Sequence, residues 1–333
     1  MQLPELHQLE YLLASAPPEV TLMRVGEIAD GDRAWPFYAV QVGQAGADKP
    51  ALLLTAGVHG LERIGSQVLL AYLETLCARL SWDANLLDLL GRVQLYLIPI
   101  VNPAGMSRGT RCNGNRVDLM RNAPLECVER PLPLIGGHRL AKWLPWHRGE
   151  EGLLEPEVLL LEQFVQTELL HRAHSIVLDC HSGFGQQDRL WFPFARSALQ
   201  PIAHLAHMHR LRELFFQTYP HQNYLFEPQS AHYLCHGDLW DYFYLQAVAA
   251  DHLMLPLTLE MGSWNWVRKN PFQLLRPHGL YHPVKPHRVK RVLRGHLILL
   301  DFLVHATAAM PDWLGTVSQR NSLEALDLWY RRT

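Results

Sequence analysis

Short and almost uninterrupted apolar runs are the feature that most constrains how this chain of 333 residues can fold. Each run holds six to eight residues, and several consist almost only of Val, Ile and Leu, as expected for strands covered on both faces. The predicted strands are residues 20–25, 37–42, 51–56, 93–100, 175–180 and 254–260. Apolar residues at helical spacing predict helices over 64–80, 155–174, 203–217 and 288–309. This alternation predicts an α/β fold with a mixed, largely parallel central sheet flanked by helices.

Two long stretches, 123–156 and 220–244, show no regular period. The first is rich in Pro, Gly and Trp, and the second in His, Tyr and Trp. Long irregular segments inside a compact domain are usually functional loops. Apolar anchors such as Trp143 and Trp240 recur through them, so neither reads as a linker. We therefore expect one domain over residues 1–333, with irregular loops at these two places.

Charge and composition exclude several classes of function. The 30 Lys and Arg are matched by 32 Asp and Glu, so the net charge of −2 gives no global positive field that would attract nucleic acid or anionic lipid. The apolar runs are far shorter than the roughly 20 residues of a membrane-spanning helix. Glu5 and Glu10 stand where a secretory signal would be basic, and the five cysteines form no Cys-x-x-Cys pair. We expect a cytoplasmic protein with no nucleic-acid or membrane partner.

The pair His-x-x-Glu occurs three times, and context separates the occurrences. Two of them, His7/Glu10 and His147/Glu150, lie away from any predicted strand end. His59 and Glu62, in contrast, directly follow the apolar strand 51–56 and directly precede a helix. Ligands gather at the carboxyl ends of strands in α/β folds, and both residue types bind zinc. We therefore predict His59 and Glu62 as metal ligands.

Two further strand ends carry the same kinds of residue. His181 follows strand 175–180, and Asp179, two residues earlier, projects to the same face. A carboxylate near a ligating imidazole usually orients it. Glu260 ends strand 254–260, where a buried carboxylate is costly unless it is paired or catalytic. A catalytic zinc site needs three ligands, so we predict His181 as the third ligand and Glu260 as the base.

The polar loop after strand 93–100 offers two different chemistries. Its four arginines include Arg111 and Arg121, whose planar donors could bind a carbonyl oxyanion and a substrate carboxylate, or could simply be solvated charge. The loop also contains GMSRG at 105–109, which matches the nucleophile elbow of α/β-hydrolases. An elbow requires a helix directly after the serine, and the following residues favour none. A serine hydrolase that uses Ser107 is a distant alternative.

Taken in order, these motifs resemble the zinc carboxypeptidase superfamily, which is typified by carboxypeptidase A and includes succinylglutamate desuccinylase and aspartoacylase. The order is H-x-x-E at 59–62, N-P-x-G at 102–105, V-D-L-x-R-N at 117–122, D-x-H-S-G at 179–183 and a strand-end glutamate at 260. The match spans residues 50–262. It implies an α/β/α sandwich and one zinc ion per chain.

The resemblance also implies a role for each matching residue. His59, Glu62 and His181 resemble the zinc ligands, Glu260 the general base and acid, and Arg111 the arginine that polarises the scissile carbonyl. Arg121 and Asn122 match the loop that binds a substrate's terminal carboxylate. The family pattern has Asn where this chain has Met120, whose thioether cannot donate a hydrogen bond. A mobile tyrosine belongs to the pattern as well, and the candidates are Tyr224, Tyr233, Tyr242 and Tyr244.

The function that follows is zinc-dependent hydrolysis of an amide bond. Two substrate classes stay open, namely a small peptide cleaved by a metallocarboxypeptidase, and an N-acyl amino acid cleaved by a deacylase of the desuccinylase or aspartoacylase type. A degenerate zinc-binding module is a further alternative, and Met120 is its only support. His232 and His236 leave a second metal open, although ordinary loop histidines are the simpler interpretation.

Overall fold

The computed structural model describes residues 3–276 and 278–331 and contains one sheet of eight strands. The strands are β1 (Val20–Asp30), β2 (Arg33–Val42), β3 (Ala51–Ala56), β4 (Gln94–Ile98), β5 (His174–Ser182), β6 (Arg189–Phe192), β7 (Leu225–Pro228) and β8 (Leu253–Met261). Their order in the sheet is β1-β2-β4-β3-β5-β8-β6-β7. The four central strands β4, β3, β5 and β8 run parallel, whereas β1, β2 and β6 add antiparallel pairs. The predicted mixed, largely parallel sheet is confirmed.

Helices cover both faces of this sheet. They are α1 (Pro4–Ala14), α2 (Arg63–Leu80), α3 (Ala84–Leu90), α4 (Pro103–Arg108), α5 (Pro156–Glu168), α6 (Leu205–Thr218), α7 (Leu239–Ala249), α8 (Trp264–Lys269), α9 (Pro286–Ala308), α10 (Met310–Trp313) and α11 (Gln319–Trp329). Short 3₁₀ turns lie at Leu119–Arg121, Gln229–Ala231, Pro271–Leu275 and Leu314–Thr316.

Strand β3 shows why the apolar runs are so continuous. Leu52 and Leu54 point into an apolar cluster shared with α2 and α9, whereas Leu53 points into a second cluster shared with α5 and α7. All three side chains are fully buried, and burying each stabilises the fold by roughly 1.5–3 kcal/mol. Because both faces are covered, every position of the strand is apolar or small. The carboxyl ends of β3, β5 and β8 meet at one edge of the sheet.

The two segments without a period have different structures. Residues 123–155 form no helix or strand within the described chain, as expected, and Arg148 fixes them by donating to Glu126 at 2.7 Å and to the carbonyl of Leu125 at 3.1 Å. The prediction for 220–244 is wrong, because this stretch contains β7 and the start of α7. Asp238 caps α7 by accepting hydrogen bonds from the backbone of Trp240 and Asp241.

No single helix of the described chain is long and apolar enough to cross a membrane. Helix α9 and the segment Met310–Thr316 meet the length and composition criteria only as a pair, with a bend of 66° between them.

Candidate metal centre and active site

Three side chains converge at the carboxyl ends of β3 and β5. Nδ1 of His59 lies 3.2 Å from Nδ1 of His181. The Glu62 carboxylate bridges the two rings, with Oε1 2.9 Å from Nδ1 of His59 and Oε2 2.9 Å from Nδ1 of His181. All three residues are buried, and their donor atoms lie within 4.8 Å of one another. Two imidazoles and a carboxylate form the ligand set of many catalytic zinc sites. The structure thus brings together the three residues predicted as metal ligands.

The turn after β3 depends on close backbone packing. Gly57 has φ of +73°, a conformation that residues with a side chain rarely adopt. At Gly60, an added Cβ would lie 2.1 Å from the carbonyl carbon of Gly105, so the turn after β3 touches α4. Asn102, which caps α4, ties the helix to this turn by donating to the carbonyl of Val58 at 3.1 Å. These contacts hold the turn that carries His59 and Glu62.

Each ligand histidine directs its other ring nitrogen at an aspartate. Nε2 of His181 lies 2.8 Å from Asp179, and Nε2 of His59 lies 3.1 Å from Asp118. In a metal-bound ring, each aspartate accepts the hydrogen of Nε2, which leaves the lone pair of Nδ1 for the metal. Two imidazoles and a carboxylate that face one another need positive charge among them, either protons or a metal, and their donor set fits a zinc ion. Asp118 lies in a loop, where no strand-end pattern marks it.

The charges around the histidines favour the same conclusion. Burial alone would lower the pKa of His181, yet the Asp179 and Glu62 carboxylates raise it well above its ordinary value. Burial opposes ionisation of Glu62, yet His59 and His181 hold its pKa below the usual range. The backbone N–H of Ser182 also donates to Glu62 at 2.9 Å. The site is therefore built for positive charge surrounded by carboxylates.

Glu260 lies beside His181, because the two residues are paired in the β5–β8 register. It lines the same cavity as the ligand residues, and one of its carboxylate oxygens is buried without a hydrogen-bond partner in the described part of the chain. Burial, assisted by the charge of Glu62, raises the pKa of Glu260 to about 8. A buried carboxylate that no side chain engages, next to the metal ligands, is free to exchange a proton with a substrate or water.

Arg111 reaches the cavity from the loop after α4. Its Nε donates to Asp118 at 2.8 Å, and its Nη1 lies 3.5 Å from Glu62. These contacts fix the plane of the guanidinium beside the ligands. Within the described residues Nη2 makes no hydrogen bond, which leaves donors for the oxygen of a bound carbonyl.

Arg121 adds a buried positive charge to the cavity, with 2% of its surface exposed. Its Nε and Nη2 donate to the carbonyl of Ile135 at 3.3 Å, and its Nη1 donates to that of Met120 at 3.1 Å. The guanidinium carbon lies 5.6 Å from the ring centre of Tyr233. Arg121 forms no salt bridge with any carboxylate among residues 3–276 and 278–331. A buried guanidinium without a carboxylate is costly, so the cavity offers an unfilled site for an anion.

The role predicted for Asn122 needs a correction. Its amide nitrogen donates to the carbonyls of Arg148 and Leu153 at 3.0 and 3.1 Å, and its amide oxygen accepts from the backbone of Glu155 at 2.7 Å. Asn122 does not line the cavity, because these three bonds direct its side chain into the neighbouring loop. Its function is to fix the segment that carries Arg121. Met120 does line the cavity, where it offers no donor.

The cavity over the ligands holds about 560 Å³, and six aromatic side chains contribute to its lining. Its aromatic residues are Trp146, Phe184, Trp191, Tyr233, Trp264 and Tyr281. Of the four candidate tyrosines only Tyr233 lies here. Hydrogen bonds hold the hydroxyls of the others elsewhere, to His296 for Tyr224, Glu162 for Tyr242 and His204 for Tyr244. Tyr281 and Trp264 were not predicted as site residues, because they lie beyond the last motif in the sequence.

The geometry of a serine nucleophile elbow is absent. Ser107 lies inside α4 rather than on a strand-to-helix turn, and its hydroxyl donates to the carbonyl of Ala104 at 3.0 Å. It is not among the residues that line the cavity with His59 and His181. The serine hydrolase alternative is therefore wrong.

The remaining candidate metal residues have protein partners. His232 lies 2.7 Å from Glu227, and Nδ1 of His236 accepts from the backbone of Cys127 at 3.1 Å. One other compact donor group exists among the described residues, formed by His209, Glu213 and Glu324. Asn321 already donates to Glu213 at 2.9 Å and to His209 at 3.4 Å, and Arg320 donates to Glu324 at 2.7 Å. These hydrogen bonds satisfy the group without a metal.

Known proteins share both the sequence pattern and the fold. A family model described as zinc carboxypeptidase matches residues 7–265. Carboxypeptidase E of Caenorhabditis elegans is 32% identical over 138 residues, which cover 36% of this chain and 29% of that protein. Carboxypeptidase SOL1 of Arabidopsis thaliana is 27% identical over 106 residues, covering 31% of this chain and 22% of that protein. The chain thus matches less than a third of the length of these relatives.

Two solved structures are similar over most of the chain. Thrombin activatable fibrinolysis inhibitor has a TM-score of 0.69 at 18% identity, covering 92% of this chain and 74% of that one. Carboxypeptidase A from Helicoverpa armigera has a TM-score of 0.65 at 16% identity, covering 92% and 71%. At this identity the likeness shows a shared fold. Together with the family match over residues 7–265, it shows that the chain belongs to the zinc carboxypeptidase family, whose single zinc ion His59, Glu62 and His181 are able to hold.

Proposed function

We propose that the protein hydrolyses the last peptide bond of peptides that end in a free carboxylate. One observation carries this proposal, namely that the buried and unpaired guanidinium of Arg121 shares a cavity with the metal ligands and Glu260. A fixed cation near a hydrolytic centre selects substrates with an anionic group at a set distance from the reacting bond. In a peptide, the C-terminal carboxylate is the anion that stands at a constant distance from the last amide.

Arg121 retains donors for that carboxylate. A guanidinium has five N–H groups, and three hydrogen bonds to backbone carbonyls hold Arg121 in place. Its remaining two N–H groups match the two oxygens of a carboxylate. Because Met120 adds no donor, the carboxylate depends on Arg121 alone in this part of the cavity. The family pattern supplies an additional amide there.

The residues around the ligand group divide the chemistry of hydrolysis between them. A zinc ion held by His59, Glu62 and His181 would supply Lewis-acid polarisation of the carbonyl and would lower the pKa of a water molecule. Positive charge at that position also favours the ionised form of Glu260. Glu260 then takes a proton from the attacking water and delivers it to the leaving amine. Arg111 donates to the carbonyl oxygen as negative charge develops there, a contribution of roughly 3–4 kcal/mol for one such donor.

Blocked dipeptides with either a free C-terminal carboxylate or a C-terminal amide test the proposal. We expect the zinc-loaded protein to release the last residue of the free acid and to cleave the amide about 100-fold more slowly. The amide leaves the charge of Arg121 without its anionic partner, and the loss of one partner of a buried ion pair has an effect of this size. In Arg121→Met the two substrates should become equally poor. Exposed Arg130 provides the matched control, and Arg130→Met should keep the preference of the wild type.

The same assay separates the deacylase alternative. N-acyl amino acids also end in a carboxylate. They are therefore compared with blocked dipeptides that release the same amino acid. Faster release from the N-acyl amino acids than from the blocked dipeptides would assign the protein to deacylation. If the wild type cleaves neither class while it retains zinc, hydrolysis itself is refuted and the degenerate zinc-binding module is supported.

A further inference from the structure

Positive charge is concentrated in one segment of the chain that the catalytic proposal does not use. Residues 261–300 contain eight Lys and Arg and no Asp or Glu. Since the whole chain has a net charge of −2, the rest of it carries −10. The sequence analysis expected no membrane or nucleic-acid partner because the net charge of the whole chain is close to zero. That total does not reveal the positive charge of this one segment.

The cations of this segment lie on the surface. Only Arg288 is half-buried, and it joins α9 to α8 by donating to the carbonyls of Trp266 and Lys269 at 3.0 and 3.4 Å. The other seven are exposed, namely Arg268, Lys269, Arg276, Lys285, Lys290, Arg291 and Arg294. Lys290 lines two adjoining grooves, one shared with Arg276 and the other with Arg294 and Trp82. Arg276, Lys290 and Arg294 are therefore joined by two adjoining grooves, whose described lining includes a single acid, Glu74.

Large apolar side chains are exposed between two of these cations in the sequence. On the 3₁₀ turn Pro271–Leu275, Phe272 is 80% exposed, Leu274 55% and Leu275 83%. Lys269 and Arg276 flank the turn. Three neighbouring apolar side chains held in water form the kind of exposed patch that marks an interaction site.

The local physics of α9 does not account for this charge. The N-terminus of a helix is its positive end and favours acidic residues, yet the first turn of α9 carries none. Lys285 precedes the helix, and Lys290 and Arg294 repel each other because they lie one turn apart. A sequence that opposes local preferences over a whole segment indicates a function of that segment rather than of the fold.

We propose that these seven exposed cations, with Phe272, Leu274 and Leu275, form a docking surface for a membrane that contains anionic lipid. The three apolar side chains enter the interface between headgroups and acyl chains, while the cations contact the headgroups. Nucleic acid or an acidic protein would use the cations but would gain little from three exposed aliphatic and aromatic side chains on one turn. A lipid surface uses both features at once.

The docking surface adjoins the catalytic cavity in the sequence. Trp264 and Tyr281, which line the cavity, belong to the same segment as the docking surface.

Sedimentation with lipid vesicles tests the docking surface on the full-length, zinc-loaded protein. We expect binding to phosphatidylcholine vesicles that contain about 30 mol% phosphatidylserine, no binding to pure phosphatidylcholine, and release when the salt is raised to about 0.5 M. Lys290→Glu/Arg291→Glu should weaken binding by at least about 30-fold, since each cation near the surface contributes about fivefold and its reversal adds repulsion. Phe272→Ser/Leu275→Ser should weaken it at least about tenfold.

Matched variants elsewhere on the surface separate docking from general effects of charge and apolarity. Exposed Arg92 and Arg130 provide Arg92→Glu/Arg130→Glu, and Leu199, which is 77% exposed, provides Leu199→Ser. These controls should bind vesicles like the wild type, and all variants should keep their circular dichroism and zinc content. Equal binding to both kinds of vesicle, or none to the anionic ones, overturns the proposal. Binding to duplex DNA that survives Phe272→Ser/Leu275→Ser, without vesicle binding, would assign the surface to nucleic acid.

Discussion

The aspartates behind the two ligand histidines decide how firmly the site can hold a metal. Asp179 accepts from His181 and also from the indole N–H of Trp240, each at 2.8 Å. This buried carboxylate keeps the hydrogen on Nε2 and increases the basicity of Nδ1, which faces the other ligands. Such partners are worth about 10- to 100-fold in metal affinity.

Asp179→Asn should therefore weaken zinc binding by about 10- to 100-fold without removing a ligand. An amide is a weaker acceptor than a carboxylate and can present its nitrogen to the ring, which would favour the wrong tautomer. Competition with a zinc-sensitive fluorescent chelator measures the change. Asp32→Asn, on the exposed turn between β1 and β2, should bind zinc like the wild type. Unchanged affinity in Asp179→Asn would show that the hydrogen bond to His181 does not tune the site.

Glu260→Gln should abolish turnover while zinc stays bound. Glu260 is not one of the three clustered ligands, so the substitution leaves the metal group intact. It removes the group that exchanges the proton, a loss of about 10²- to 10⁴-fold in kcat. Zinc content by elemental mass spectrometry and turnover of a blocked dipeptide are the two measurements. Glu324→Gln, on α11, should retain full activity, whereas activity in Glu260→Gln would refute the assignment of the base.

Single residues at strand ends were predictable, whereas residues in loops were not. His59, Glu62, His181 and Glu260 follow apolar runs, and a parallel sheet brings the carboxyl ends of such runs to one edge. Asp118 has the same importance for His59 but lies outside any strand, so no period marks it. Asn122 matched a motif, yet its neighbours in space rather than its neighbours in sequence determine its hydrogen bonds.

Among the helices, the start of α5 contains a buried acid with an unusual pKa. Glu157 is 1% exposed and accepts from the amide of Asn113 at 3.0 Å, while that same amide also donates to Glu155 at 2.7 Å. Burial raises the pKa of Glu157 to about 7. The folded protein therefore binds a proton at a pH where the unfolded chain has already released it.

The sign of the resulting pH dependence follows directly. The stability that Glu157 contributes is fully present below its unfolded pKa of 4.5 and is lost as the pH rises through about 7. Between pH 4.5 and about 7, the wild type should lose roughly 2–3 kcal/mol of its free energy of unfolding through Glu157, whereas Glu157→Gln should not show this loss. Urea unfolding at several pH values measures it, with the exposed Glu151→Gln as the control. Parallel profiles for Glu157→Gln and the wild type would show that Glu157 is ionised in the folded protein.

Elements were predictable where their pattern is long or fully apolar. The six predicted strands and the long helices α2, α6 and α9 are present with shifts of a few residues at their ends. The strands β6 and β7 have four residues each and mix apolar with charged or proline residues, so neither shows a period. Helix α7 is apolar on almost every side because it packs between the sheet and the neighbouring loops, and a uniform pattern hides its helical repeat.

At the scale of the whole molecule, the predicted metal ligands and Glu260 come from parts of the chain that are far apart in sequence. Glu62 and His181 are separated by 119 positions, and Glu260 lies on yet another strand. The four parallel strands keep their carboxyl ends together even without a metal, but three buried ligands and two aspartates then face one another with unbalanced charge. One domain over residues 1–333 stays a prediction, whereas the sheet that spans this site is established.

Zinc should therefore stabilise the entire fold. A metal that binds only the folded protein adds about 2.7 kcal/mol to the free energy of unfolding at a concentration one hundred times its Kd. Urea unfolding with excess zinc and with a chelator measures this difference. In His181→Ala the two curves should coincide, because the folded variant keeps only two of the three clustered ligands. Equal curves in the wild type would mean that zinc does not bind the folded state preferentially, which would contradict the ligand assignment.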